Sequence, residues 1–196
     1  NDCRPPRDEN YPLMVQRFAA LAYADSSSPP ENIPHPKLNI QQADVNSCLS
    51  KFELSQEGKI LAISPGAEFG EAKQWPSEYY AELTNTVLQK GWQVWIFGSA
   101  NDVLVAESIL ADIDSELLQE CQNLAGKTSL AEAIDLMSLA TAVVSNDSGL
   151  MHVAAALEKP VVSIYGSTSS DFTPPLADKV KLLATDIESR PCFKRE

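Results

Sequence analysis

The sequence predicts an α/β protein whose core is a doubly wound parallel sheet. Three observations carry that prediction. Short apolar runs recur from Ile60 onward, each the length of a strand rather than a helix. Stretches of helical length separate them. Each run closes on glycine and small polar residues, the turn chemistry that passes a buried parallel strand on to a helix.

Taken in order, the first element is a helix within Glu9 to Ala24, with Leu13, Phe18, Leu21 and Ala22 at helical spacing and Pro12 near its first turn. It reads as detached from the layers that follow. Ser26-Ser27-Ser28-Pro29-Pro30, then Pro34 and Pro36, propagate neither helix nor strand and form a linker. A short helix fits Gln42 to Phe52. Ile60 to Ile63 is the first strand, closed by Ser64-Pro65-Gly66. A helix from Ser77 to Lys90 is stopped by Gly91. Gln93 to Phe97 is a strand ending in Gly98-Ser99, followed by a helix from Asp102 to Ile113. Cys121 to Leu124 is a strand, and Ser129 with Glu132 forms a capping box for a helix from Leu130 to Leu139. Thr141 to Ser145 runs into Asn146-Asp147-Ser148-Gly149 and a helix from Leu150 to Leu157. Pro160 to Tyr165 ends in Gly166-Ser167-Thr168, and Val180 to Ala184 is the last strand. Right-handed crossovers make residues 58–185 a Rossmann-like unit. Residues 1–25 stand apart as the detached helix, 26–57 as linker and short helix, and 186–196 as a loop cut short.

Composition narrows the partners. The 196 residues suffice for one well-packed domain with some to spare, and at 44% hydrophobic and 21% charged they read as ordinary globular protein. No run approaches the roughly 18 apolar residues of a membrane-spanning helix. Fifteen basic against 27 acidic residues, a net charge of −12, argue against a nucleic-acid partner. An anionic ligand must therefore be held by local features. The four cysteines, Cys3, Cys48, Cys121 and Cys192, form no metal-ligand spacing and read as reduced thiols. The opening lacks an initiator Met and reads as mid-sequence, so the chain is expected to be a fragment.

Ligands of open parallel sheets bind outside the carboxyl ends of the strands. There the sequence places Pro65 to Glu68, Gly98-Ser99, Gly126-Lys127-Thr128, Asn146 to Gly149 and Gly166 to Thr168. The N–H groups of Ser148, Gly149 and Leu150 open a helix and suit a diphosphate. Asp147 at the turn offers a free carboxylate to sugar hydroxyls, and His152 lies one turn further on. Equally, Asp147 or Ser148 fits an ordinary N-cap and His152 a half-buried histidine. Lys73 offers a point cation to phosphate, or else is a solvated lysine. Glu68 and Asp102 share this edge and could take ribose or sugar hydroxyls. Trp75 fits a structural anchor better than a stacking ring.

Other chemistries lack their motifs. Walker-type and dinucleotide glycine loops are absent, as are a nucleophile elbow and a metal-binding carboxylate or histidine cluster.

Several long segments are recognisable together: Ser64 to Gly70 with Ala72 to Pro76, Phe97 to Ala100, Asn123 to Thr128, Asn146 to Leu157, Tyr165 to Pro175 and Pro191 to Glu196. Over essentially its whole length the chain resembles the lipopolysaccharide heptosyltransferases. The resemblance implies the C-terminal, donor-binding half of a GT-B enzyme, two Rossmann-like domains facing a cleft. Such an enzyme transfers heptose from ADP-heptose to the lipopolysaccharide inner core with inversion. It implies that Ser148, Gly149 and Leu150 hold the diphosphate, Asp147 the heptose hydroxyls, and that Lys73 and His152 support the donor. Gly98, Ser99 and Thr128 would lie near the nucleoside and Asp102 near the ribose, with no metal and no cofactor. The acceptor site and general base would belong to a missing N-terminal domain, of which residues 1–25 are a remnant helix. No catalytic residue is then nominated in this chain, and by itself it is expected to be inactive. The implied compartment is the cytoplasm, at the inner face of the inner membrane. A free-standing nucleotide-binding module, or an enzyme using another nucleotide sugar, remains the alternative.

Overall fold

The computed structural model describes residues 11–20, 33–67, 70–184 and 191–193. Six parallel strands form one sheet in the order β3-β2-β1-β4-β5-β6. They are β1 (Ile60–Ser64), β2 (Gln93–Ile96), β3 (Cys121–Asn123), β4 (Ala142–Asn146), β5 (Val161–Tyr165) and β6 (Val180–Ala184). The doubly wound expectation holds, and strand bounds shift by a residue or so from those the sequence suggests.

β1 is buried along its whole length, as a strand in mid-sheet with both faces covered must be. On one face α3 (Ser77–Leu88) and α4 (Val103–Ala111) press Tyr80, Ala81, Ala106 and Ile109 against Leu61, Ile63, Val94 and Ile96. On the other, α5 (Leu130–Met137) and α6 (Gly149–Ala156) press Leu136, Met137, Met151 and Ala154 against Ala62, Trp95 and Val143. Each fully buried side chain of Leu or Phe size stabilises the fold by roughly 1.5–3 kcal/mol. β6 is the thinly covered edge, where Leu182 and Leu183 are exposed.

The capping box at α5 forms as its sequence predicts. The Ser129 N–H donates to Glu132 Oε2 at 2.9 Å, and the Glu132 N–H donates to Ser129 Oγ at 3.3 Å. A second box, unsuspected from the sequence, spans Ser99 and Asp102 and opens a 3-10 turn at Ala100–Asp102 ahead of α4. Two more 3-10 turns, Glu71–Lys73 and Leu118–Glu120, lie in stretches where the sequence shows no periodicity.

The helix α2 (Gln42–Lys51) lies in a stretch that the sequence groups with the linker, yet Val45 and Cys48 are buried and Cys48 joins the core beneath α5. Leu38 N–H donates to the Ala156 carbonyl at 2.9 Å, fastening the incoming strand of chain to the end of α6. Cys121 is likewise buried, which pushes its thiol up to about 12, while Cys192 is exposed. Cys3 lies outside the described residues.

Of the first helix, Met14–Ala20 (α1) is described, and the expected ends at Glu9 and Ala24, with Leu21 and Ala22, lie outside. No side chain of α1 is buried, and Phe18 is exposed. It is held at its start, where the Met14 N–H donates to the Phe172 carbonyl at 3.0 Å and the Arg17 guanidinium sits 4.9 Å from the Phe172 ring centroid.

Candidate functional site

The strand order sets the site. From β1 the chain moves outward to β2, and from β4 it moves outward the other way to β5, so a crevice opens between their carboxyl ends. Its walls are the β1 exit, Pro65-Gly66-Ala67, and the β4 exit, Asp147-Ser148-Gly149.

Asn146 ends β4 and is fully buried. Its Nδ2 donates to the Pro65 carbonyl at 2.6 Å, and its Oδ1 accepts the Trp75 N–H at 3.1 Å and the Tyr80 hydroxyl at 3.0 Å. One side chain thus ties three segments of the crevice floor. Trp75 meets Tyr80 edge-on at 4.8 Å between ring centroids, an anchor in the loop that carries Lys73.

Lys73 closes the 3-10 turn at Glu71–Lys73. Its Nζ lies 2.8 Å from Asp147 Oδ2, with the two side chains 17% and 7% exposed. Thr168 Oγ1 donates to the same oxygen at 2.7 Å. The expected free carboxylate is therefore corrected: Oδ2 is taken by a lysine and a threonine drawn from two other strand exits. Oδ1 carries no hydrogen bond among the described residues. The fit between the loops is close, since the Ser167 N–H donates to the Ala72 carbonyl at 3.0 Å. A Cβ on Gly166 would collide with that same carbonyl oxygen.

At the start of α6, Ser148 occupies the N-cap position with extended backbone, yet its side chain makes no capping bond. Its Oγ instead lies 3.1 Å from Ser145 Oγ. Among the described residues, the N–H groups of Ser148, Gly149 and Leu150 donate to no protein acceptor. A helix start left open in this way presents oriented donors and a partial positive charge. His152, one turn on, is exposed at its edge but ringed by protein. Desolvation lowers its pKa, the Asp147 carboxylate opposes that, and the Lys73 cation adds to it. Lys73, Asp147, Ser148, Gly149, Leu150 and His152 therefore gather at one mouth.

The remaining predicted residues flank it. Asp102 Oδ2 accepts from the Ser99 N–H at 2.7 Å and the Ser99 hydroxyl at 2.8 Å. The same carboxylate packs so closely on Gly66 that no Cβ fits there, bringing the β2 exit to the β1 exit. The Gly126 N–H donates to the Gly98 carbonyl at 3.0 Å, and Thr128 is half-buried beyond it. Glu68 lies outside the described residues.

Sequence reasoning sets Asn146 and Thr168 on the ligand edge without giving either a role, and passes over Tyr80. A signal exists for Thr168, which follows a strand on the same sheet edge as Asp147. Chemically, the mouth joins open N–H donors and a cation, which suit an anion, to an acceptor-only carboxylate, which suits hydroxyls. Among the described residues no group of His, Cys, Asp and Glu is placed to hold a metal ion.

Comparison with known proteins agrees over the whole chain. The sequence profile described as glycosyltransferase family 9 (heptosyltransferase) matches residues 1–196. Lipopolysaccharide heptosyltransferase 2 of Salmonella typhimurium is 44% identical over 188 residues, covering 93% of this chain and 54% of that protein. Lipooligosaccharide heptosyltransferase 2 of Haemophilus influenzae is 46% identical over 190 residues, covering 93% and 55%. The solved structure of Escherichia coli ADP-heptose lipopolysaccharide heptosyltransferase II superimposes with a TM-score of 0.86 at 39% identity, covering 97% of this chain and 62% of that one. The chain spans about half the length of the curated relatives it matches. With its fold and its full length matched in this way, the chain belongs to glycosyltransferase family 9, the heptosyltransferases.

Proposed function

We propose that this chain is the donor-binding half of a glycosyltransferase that moves heptose from ADP-heptose to the inner core of lipopolysaccharide, with inversion at the anomeric carbon. The observation that carries this reading is the Lys73–Asp147–Thr168 cluster set beside the uncapped start of α6. The diphosphate lies against the Ser148, Gly149 and Leu150 N–H groups with Lys73 offsetting its charge. The heptose hydroxyls donate to Asp147, and His152 supports the donor from the first turn of α6. Gly98, Ser99 and Thr128 flank the nucleoside. Asp102 serves the ribose edge through its free oxygen, its other being held by Ser99.

In the reaction an acceptor hydroxyl attacks the anomeric carbon and the bond from that carbon to the diphosphate oxygen breaks. The electron pair leaves with ADP and the hydroxyl proton passes to a general base. That base must lie within hydrogen-bond reach of the acceptor, and it belongs to the half of the enzyme outside this chain. Lys73 and the open helix end stabilise charge growing on the departing ADP. Residues 1–25 belong with that other half, 26–57 connect it, and 58–185 hold the donor. The enzyme works in the cytoplasm at the inner face of the inner membrane. Among the described residues no helix is long and apolar enough to cross a membrane.

Calorimetric titration of the folded chain with ADP and, in parallel, UDP tests the reading. ADP binding that UDP does not match, and that weakens in Lys73→Ala, supports it. Asp147→Ala should weaken ADP-heptose more than ADP. No ADP binding by either the folded chain or the full-length protein removes the donor assignment.

A further inference from the structure

Lys73 and Thr168 both hold Asp147, but on different terms. Lys73 carries a point charge on a flexible stem, and its Nζ lies 2.8 Å from Asp147 Oδ2. A diphosphate brings more negative charge than that carboxylate, so it competes for the lysine. Thr168 is neutral and 92% buried, with its hydroxyl 2.7 Å from Oδ2. Its loop is fixed on both sides: the Ser167 N–H is bonded to the Ala72 carbonyl, and the Tyr165 hydroxyl reaches forward to the Thr173 carbonyl at 3.0 Å. Gly166 leaves no slack against Ala72.

Resting on the donor-site reading above, we infer that Thr168 is a positioning residue for sugar recognition. It fixes Oδ2 of Asp147 while Lys73 turns to the diphosphate, so that Oδ1 stays aimed at the sugar hydroxyls. Thr168 itself touches neither sugar nor phosphate. Its effect runs through Asp147 and is confined to the part of the ligand that Asp147 reads. A threonine that merely supported the loop would matter equally for ADP, whose diphosphate seat the same loops frame.

The test uses the full-length protein carrying Thr168→Val, which keeps the shape and removes the hydroxyl, and Thr168→Ser, which returns it. Affinities for ADP and ADP-heptose are measured side by side. Thr168→Val should weaken ADP-heptose by about tenfold, the scale of one hydrogen bond to a charged group, and leave ADP nearly unchanged. Thr168→Ser should restore ADP-heptose binding. In an Asp147→Ala background Thr168→Val should have no further effect. Equal loss for both ligands, no loss at all, or additivity with Asp147→Ala each overturns the role. If the unaltered protein binds neither ligand, the donor-site reading fails, and the role of Thr168 with it. If it binds both and only the Thr168 variants behave otherwise, that role fails alone.

Discussion

Asn146 joins β4 to the exit of β1 through Pro65, whose carbonyl receives its Nδ2 at 2.6 Å. Because Oδ1 also accepts from Trp75 and Tyr80, Asn146→Ala leaves the Pro65 carbonyl and the Trp75 N–H unpaired and the Tyr80 hydroxyl with only a long contact to the Ser64 carbonyl at 3.5 Å. A loss of about 2–4 kcal/mol is expected. Asn146→Asp should be no milder, since it turns an acceptor toward the Pro65 carbonyl. Denaturant unfolding of the two variants checks this, and Tyr80→Phe should cost only about 1 kcal/mol in the same assay.

His152 reports on the charges at the mouth. Its pKa lies below the ordinary 6.5 because burial penalises the imidazolium, while Asp147 pulls it up and Lys73 pushes it down. Titration followed by NMR should therefore give a midpoint below 6.5, moving lower in Asp147→Asn and higher in Lys73→Met. For stability the sign follows from the depressed value: the folded state resists protonation. The stability associated with neutral His152 is full above 6.5 and is lost as pH falls through the folded pKa.

Two glycines at the site should respond in opposite ways to alanine. A Cβ on Gly149 meets nothing within 4 Å, and the residue opens a helix. Gly149→Ala should leave stability unchanged or raise it by up to about 1 kcal/mol, while weakening ADP if the start of α6 seats the diphosphate as proposed. Gly166→Ala forces a methyl onto the Ala72 carbonyl and should destabilise by about 1–3 kcal/mol. Thermal unfolding and ADP titration of the pair separate ligand space from packing.

The α2–α5 contact should show an acid dependence. Glu132 is held at about 2, first by the Lys51 ammonium and then by the Ser129 backbone and hydroxyl. A depressed carboxylate contributes stability that is present above its ordinary 4.5 and lost as pH falls through about 2. Glu132→Gln should be less stable at pH 7 and lose less between those two values. Melting curves across that window decide it.

Much of this was legible in the residues. Strands and helices show because burial on both sheet faces forces unbroken apolar runs, and glycine-rich exits mark the ligand edge. The 3-10 turns carry no period to read. The Ser99–Asp102 box hides because its acid also looks like a ribose ligand. Pairings were beyond reach: Lys73 and Asp147 lie 74 positions apart, and only the strand order brings them together. The short helix expected over Gln42 to Phe52 forms as α2, but its packing on α5 does not show in the residues, because so few of them turn inward.

The sheet's uneven ends have a kinetic consequence. β6 is thinly covered and frays most cheaply, and the segment leading to it carries Thr168, while β1 and β4 are clamped from both sides. Opening that starts at β6 reaches the Thr168 segment before it reaches Asn146. A ligand that steadies the existing Asp147–Thr168 hydrogen bond should therefore slow amide exchange along the outer strand, while the protected centre registers almost nothing.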